Sequence, residues 1–251
     1  MYTRATKIRE KIIKASKILK QEGFKSLIIK LFLFFVVTPA RYIFVLFSSI
    51  VILFKPRNFF IFQNKKLSYF YRRYNTTWKN ERIIEVPIIL SYTRNFSSKS
   101  ILEFGAVLRH YFKVKWDILD KYERGKNIIN KDVIDFKPIK KYDLIVSIST
   151  LEHVGFDEEF KDPSKIPRAI NNLRKNFLNP GGKGVITMPI GYNLEMDKLL
   201  FSNKLKFDEK FFFKRINKKN EWKEVSEKEA RTAYGRPFNA ANSIVLGIIK
   251  N

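Results

Sequence analysis

An α/β fold built on a mostly parallel, doubly wound sheet is predicted by two observations in the C-terminal two thirds of this sequence. First, short apolar runs stop at acidic, Gly or small polar residues: Ile101-Leu102-Glu103-Phe104-Gly105, a run closed by Asp120, and Tyr142-Asp143-Leu144-Ile145-Val146-Ser147-Ile148-Ser149. Such runs suit buried parallel strands whose C-terminal ends carry a ligand site. Second, a helical period separates the later runs, with Ile166, Ile170, Leu173 and Phe177 on one face.

Taken in order, strands are predicted over residues 100–104, 114–119, 127–129, 144–149 and 185–188, with about two helical turns near 106–112 and a helix over 164–177. Asn179-Pro180-Gly181-Gly182 is expected to end that helix. Residues 206–216 and 222–225 bracket Asn217-Lys218-Lys219-Asn220 and read as an antiparallel pair, and 243–249 is a strong final strand. The alternation predicts right-handed crossovers.

Ahead of this domain, residues 59–62 and 67–71 are aromatic and β-prone around Gln63-Asn64-Lys65-Lys66, which predicts a hairpin. Tyr74-Asn75-Thr76-Thr77-Trp78-Lys79-Asn80-Glu81-Arg82 follows, where a Thr before Trp78 is expected to cap a helix running to about Leu90. Its density of polar and aromatic groups suits either a lid or substrate wall, or capping and packing. The organisation predicted is therefore 1–57, 58–95 and 96–251.

The first segment has a different chemistry. Residues 1–79 hold 17 of the 49 Lys and Arg against Glu10 and Glu22 alone, a net +15 of the chain's +25. Residues 5–22 read as a basic amphipathic helix, with Ile8, Ile12, Ala15 and Leu19 at helical spacing. Residues 27–54 are almost wholly apolar, interrupted by Thr38-Pro39-Ala40-Arg41. As a spanning helix, 31–54 would place Arg41 near the bilayer centre at about 2.5–3.5 kcal/mol. Basic flanks on both sides favour a monotopic arrangement bent at Pro39, on the cytoplasmic face of an anionic membrane. A helical pair packed on the protein itself is the alternative. No secretory signal is expected.

Composition excludes other classes. Apolar content of 45% supplies a core, and the chain has no cysteine and only His110 and His153, which rules out disulfides and thiolate metal sites; no metal is expected. The basic balance implies an anionic partner: nucleic acid, a phospholipid membrane surface or a polyanionic substrate.

Four pieces in order resemble the class I S-adenosylmethionine-dependent methyltransferases over roughly residues 96–250: Ile101-Leu102-Glu103-Phe104-Gly105, Asp120, the run 142–149 followed by Thr150-Leu151-Glu152-His153-Val154, and Leu178-Asn179-Pro180-Gly181-Gly182-Lys183-Gly184-Val185-Ile186. The resemblance implies a Rossmann-like methyltransferase fold, a mostly parallel seven-stranded sheet with an antiparallel last strand. It also implies S-adenosyl-L-methionine as cofactor. Gly105 would admit the methionine part, Glu103 would meet its amino group, Asp120 would accept the ribose hydroxyls, and Asp132 with Val133 would border the adenine. Lys121 and Ser149, beside these positions, complete the expected cofactor set. His153 and Glu152, just past the fourth strand, are the expected base and its orienting group. Trp78, Asn80, Arg82, Tyr192, Asn193 and Arg236 are the expected substrate-binding residues. Where a full first motif has further glycines this chain has Ala106, Val107 and Leu108, so either Trp78 and its neighbours help hold the cofactor or the site is degenerate. The function expected is methylation of a small, glycan or lipid-linked acceptor at a membrane. The alternatives are an RNA methyltransferase or a non-catalytic relative serving as a binding module.

Overall fold

A computed structural model of the chain describes residues 58–251, together with 23–26, 28–29, 32 and 52. The chain divides into two compact units, Met1–Lys55 and Pro56–Asn251. The expected basic helix over 5–22 and most of the apolar stretch 27–54 lie outside the described residues. Among the described residues no helix is long and apolar enough to cross a membrane.

The second unit opens with a hairpin of β1 (Phe59–Phe62) and β2 (Lys65–Ser68). Its turn is only Gln63-Asn64, shorter than predicted. Both residues take positive φ, 47° and 60°, the twist that lets a two-residue loop join antiparallel strands. Phe60 and Phe62 are buried edge-on against Phe213. Helix α1 (Arg82–Thr93) follows a 3-10 turn, Tyr74–Lys79. Thr77 does not cap α1. Its hydroxyl is buried, donating to Phe70 O at 2.6 Å and accepting from Arg72 N at 2.8 Å. The pairing fixes the chain ahead of the turn, and the helix starts five residues later.

The remaining strands are β3 (Ile101–Phe104), β4 (Asp117–Leu119), β5 (Ile128–Ile129), β6 (Tyr142–Ile148), β7 (Leu178–Pro189), β8 (Glu209–Arg215), β9 (Trp222–Val225) and β10 (Ser243–Lys250). They form one sheet in the order β5-β4-β3-β6-β7-β10-β8-β9. The pairs from β5 across to β7 are parallel, whereas β10 runs antiparallel to both β7 and β8. The expected seven-stranded sheet with a reversed last strand is present, extended to eight because β9 pairs with the outer side of β8. Strand β7 begins earlier than predicted. Asn179-Pro180-Gly181-Gly182 lies inside it, and the pairing with β6 shifts between Tyr142 and Leu144 to accommodate it.

Side-chain alternation gives the sheet two apolar faces. Leu102, Phe104, Ile145, Ile186, Met188 and Val245 pack with α2 (Lys165–Asn172), its π-helical continuation Leu173–Phe177, and α3 (Leu194–Phe201). Helix α1 packs on β6 and β7, burying Ile83, Ile84, Val86, Ile88 and Ile89. The predicted helical turns near 106–112 reduce to one 3-10 turn, Leu108–His110, because the β3–β4 connection is too short for more. Chain order reverses between β3 and β6, so their C-terminal ends open a crevice at the switch point.

Candidate functional site

A cleft of about 480 Å³ occupies that crevice, a size typical of small-molecule sites. Gly105 leaves β3 with φ +87°, and a Cβ there would come within 2.0 Å of Thr150 Oγ1. Glycine is therefore required both by the backbone and by the approach of the loop after β6. Asp120, just past β4, lines the cleft and ties its walls together. Its Oδ2 accepts from Ala106 N at 3.1 Å, and its Oδ1 accepts from Tyr122 N at 2.9 Å and Glu123 N at 2.8 Å.

Asp132 and Val133 form the next wall. Lys121 Nζ lies 2.9 Å from Asp132 Oδ2 and 3.3 Å from Glu158 Oε1, and Lys165 pairs with the other oxygen of Glu158. Burial pushes the Asp132 carboxyl up, but the Lys121 hydrogen bond outweighs it and the net shift is downward. Ser149 takes φ 38° and its buried hydroxyl donates to Glu85 Oε1 at 2.7 Å. Tyr74 and Asn75, with Arg82, close the side nearest the preceding segment, and Tyr74 stacks on His110 at 4.8 Å.

Glu103 does not line the cleft. It is buried beneath it, with Oε1 accepting from Leu108 N at 2.6 Å and Oε2 from Trp116 Nε1 at 3.0 Å. Burial pushes its carboxyl up to about 7. Its place is to hold the short 3-10 turn that replaces a longer crossover helix.

A second cavity, of about 280 Å³, shares Asn75, Arg82, Ser149 and His153 with the cleft and adds Glu81, Glu152, Tyr192 and Tyr234. His153 stands at the junction. Its Nδ1 is 2.5 Å from Asp157 Oδ2, and its Nε2 is 3.6 Å from Glu152 Oε1. The hydrogen-bonded orienting group is thus Asp157, one turn on, while Glu152 sits at ion-pair distance. Tyr192 OH donates to the same Asp157 oxygen at 3.2 Å, and its ring meets His153 and Tyr234 edge-on.

Beneath this cavity three carboxyl groups surround one guanidinium. Arg82 Nη1 pairs with Glu85 Oε2, Glu81 Oε2 accepts from Ala241 N at 3.1 Å, and Glu152 is 1% exposed. Burial raises the Glu81 and Glu152 carboxyls above the ordinary range, in both cases against the pull of Arg82. Burial lowers the Arg82 guanidinium, but Glu85, Glu81 and Glu152 together reverse this and raise it. Among the described residues no cluster of this kind could hold a metal ion.

Of the expected site residues, the structure gathers Asp120, Lys121, Asp132, Val133, Ser149, Arg82 and His153 around the cleft, with Glu152, Asn80 and Tyr192 at the second cavity. Trp78 is buried and lines neither cavity. Asn193 caps α3, accepting from Met196 N at 3.1 Å, and donates to Glu152 O at 2.8 Å, so it positions Glu152. Arg236 lines neither cavity. The stretch Tyr74–Arg82, read from sequence either as a lid or substrate wall or as capping and packing, supplies Tyr74, Asn75 and Arg82 to the cleft lining, whereas Asp157, Tyr234 and the acids Glu81 and Glu85 were not singled out. The only available signal for the acids was their spacing, four residues apart around Arg82.

No family model and no curated protein matches the chain. Among solved structures it is similar to the N-methyltransferase NodS from Bradyrhizobium japonicum WM9 in complex with S-adenosyl-L-homocysteine, at 15% identity and a TM-score of 0.42, over 66% of this chain and 83% of that one. A SAM-dependent methyltransferase from Archaeoglobus fulgidus is similar at 14% identity and a TM-score of 0.42, over 71% and 98%. An rRNA methylase from Streptococcus thermophilus is similar at 12% identity and a TM-score of 0.39, over 66% and 96%. The sheet supplies its own criterion. Its parallel strands, switch point and reversed C-terminal strand are those that the sequence resemblance implied. The fold is the class I methyltransferase fold.

Proposed function

We propose that this protein is an S-adenosylmethionine-dependent methyltransferase whose acceptor enters the second cavity beside His153. The observation that carries the reading is Asp120. A carboxylate just past the second parallel strand, on the wall of a cleft at the switch point, is the acceptor that a pair of ribose hydroxyls requires. Val133 supplies an apolar wall for an adenine, and Phe104, Ala106 and Val107 line the cleft beyond it. When bound, S-adenosylmethionine supplies a methyl group activated on a sulfonium sulfur. The chain's own residues orient the acceptor and take its proton. His153 lines both cavities, held at Nδ1 by Asp157 with its Nε2 3.6 Å from Glu152 Oε1, so the His153–Glu152 pair is the proton-accepting unit. Calorimetric titration of the full chain with S-adenosylmethionine should give one-to-one binding, and absence of binding would overturn the assignment.

The acceptor is a small, glycan or lipid-linked molecule met at an anionic membrane. This rests on the net +15 of residues 1–79 and the apolar composition of 27–54. Phe24, Ile28 and Phe32, spaced four apart, expose apolar side chains and add to it. The full chain should float with anionic vesicles and not with neutral ones. Recovery in the unbound fraction with both would dismiss membrane delivery.

A further inference from the structure

Resting on the methyltransferase reading, we infer that the second cavity is built for an amine, so that the acceptor atom is nitrogen rather than a hydroxyl oxygen. Glu81, Glu85 and Glu152 bring three carboxyl groups to the cavity and its floor; Arg82 pairs with Glu85, Arg215 acts on Glu81 from outside the cavity lining, and the His153 ring lies 3.6 Å from Glu152 Oε1. Glu85 has Arg82 and the Ser149 hydroxyl as partners, and Glu81 has the Ala241 N–H. Glu152 is different. It lines the cavity at 1% exposure, and its Oε2 has no hydrogen-bond partner among the described residues. Buried carboxyl oxygens in folded proteins are almost always partnered, because an unpartnered one forfeits its hydration. The group absent from the cavity is a donor, and a cationic one suits the excess of acid.

The aromatic lining points the same way. Tyr192 and Tyr234 lie edge to face at 5.3 Å beside His153, and both line the cavity. Aromatic faces attract a desolvated ammonium and offer nothing comparable to a neutral hydroxyl. An acidic floor under an aromatic wall is a site for nitrogen.

The chemistry balances. The bound ammonium first gives one proton to the Glu152 carboxylate; the neutral amine nitrogen then gives its lone pair to the methyl carbon, the carbon–sulfur bond breaks with its electron pair left on sulfur, and the product is the methylated ammonium. Burial raises that carboxyl above its ordinary range, which favours its holding the proton it takes.

The test uses matched probes, glucosamine against glucose and ethanolamine against ethylene glycol, titrated calorimetrically into the full chain with and without saturating S-adenosylhomocysteine. Each amine should bind at least about 10-fold more tightly than its alcohol partner, the span of a charge-assisted hydrogen bond. Glu152→Gln should remove that preference while leaving the affinity for S-adenosylhomocysteine unchanged. Equal binding of amine and alcohol, binding of neither, or a preference that survives Glu152→Gln would each overturn the inference. The wild-type comparison stands even where the variant fails to fold. Failure of S-adenosylhomocysteine to bind the wild type overturns the methyltransferase reading instead, and the amine preference measured in its absence still reads the cavity.

Discussion

Replacing Arg82 with methionine is expected to cost about 3–5 kcal/mol of folding stability at pH 8, the range for removing one partner of a buried ion pair. The guanidinium pairs directly with Glu85 and lowers the carboxyl pKa of both Glu81 and Glu152. Without it three buried carboxyl groups keep only neutral donors: the Ser149 hydroxyl on Glu85, the Ala241 N–H on Glu81, and no partner on Glu152 Oε2. The loss should depend on pH in a direction that separates charge from packing. Glu81 and Glu152 have folded pKa values above their unfolded ones, so the folded state binds more protons, and stability falls as pH rises above the ordinary carboxyl range. Removing Arg82 raises those values further. The deficit of Arg82→Met should therefore shrink as the pH is lowered toward about 5, where the acids take up protons. Denaturant midpoints measured at pH 5 and pH 8 decide it. A deficit equal at both would mean that Arg82 acts by filling space. Combining Arg82→Met with Glu85→Gln should recover part of the loss, since one of the stranded charges is then gone.

The parts of this protein legible in its sequence are those where one residue's neighbours determine its environment. The runs through Leu102, Leu119, Ile145 and Ile186 were readable as parallel strands because each is buried on both faces. Asp120 was readable as a ligand-facing acid because the apolar run stops there, and the sheet carries its carboxylate to the cleft wall. Glu103 shows the limit of that logic. It sits inside the apolar run that Gly105 ends, and the β3–β4 connection folds over it so that its two oxygens go to Leu108 N and Trp116 Nε1. Which acid faces a ligand depends on how the next loop turns, and that loop is unusually short here. The acid cluster was less legible still. Glu81 and Glu85 lie about seventy residues from Glu152 in sequence, and only the packing of α1 on β6 unites them. On their own they resemble the acids that favour any helix start. Trp78 misled for a related reason. An aromatic in a polar segment suggests a binding wall, but its neighbours Tyr74 and Asn75 take that position and Trp78 packs beneath.

Asp120→Ala should weaken S-adenosylmethionine binding by about 100-fold or more, and this is the expected result on which the functional assignment depends most directly. Two effects combine. A carboxylate accepting from the two ribose hydroxyls makes charge-assisted hydrogen bonds of roughly 1.5–3 kcal/mol each, so losing both exceeds a hundredfold even after partial replacement by water. The same carboxylate also accepts from Ala106, Tyr122 and Glu123 N–H groups, fixing the turn after β3 and the loop after β4 as facing walls. This second effect matters because Ala106 and Val107 stand where further glycines of a full first motif would let the backbone close on the cofactor. With less room for the backbone to adapt, the walls must be set before binding, and Asp120 sets them. Asp120→Asn separates the two contributions. Asparagine keeps one acceptor for the Ala106 N–H or for the Tyr122 and Glu123 pair, but loses the charge and cannot accept at both ends. Its affinity should fall between wild type and Asp120→Ala, with a melting temperature closer to wild type than that of the alanine variant. If both variants bind with wild-type affinity, the ribose is held elsewhere and Asp120 is only a loop clamp. If both fail to bind while melting like the wild type, recognition of the hydroxyls accounts for the whole effect and the walls hold without it.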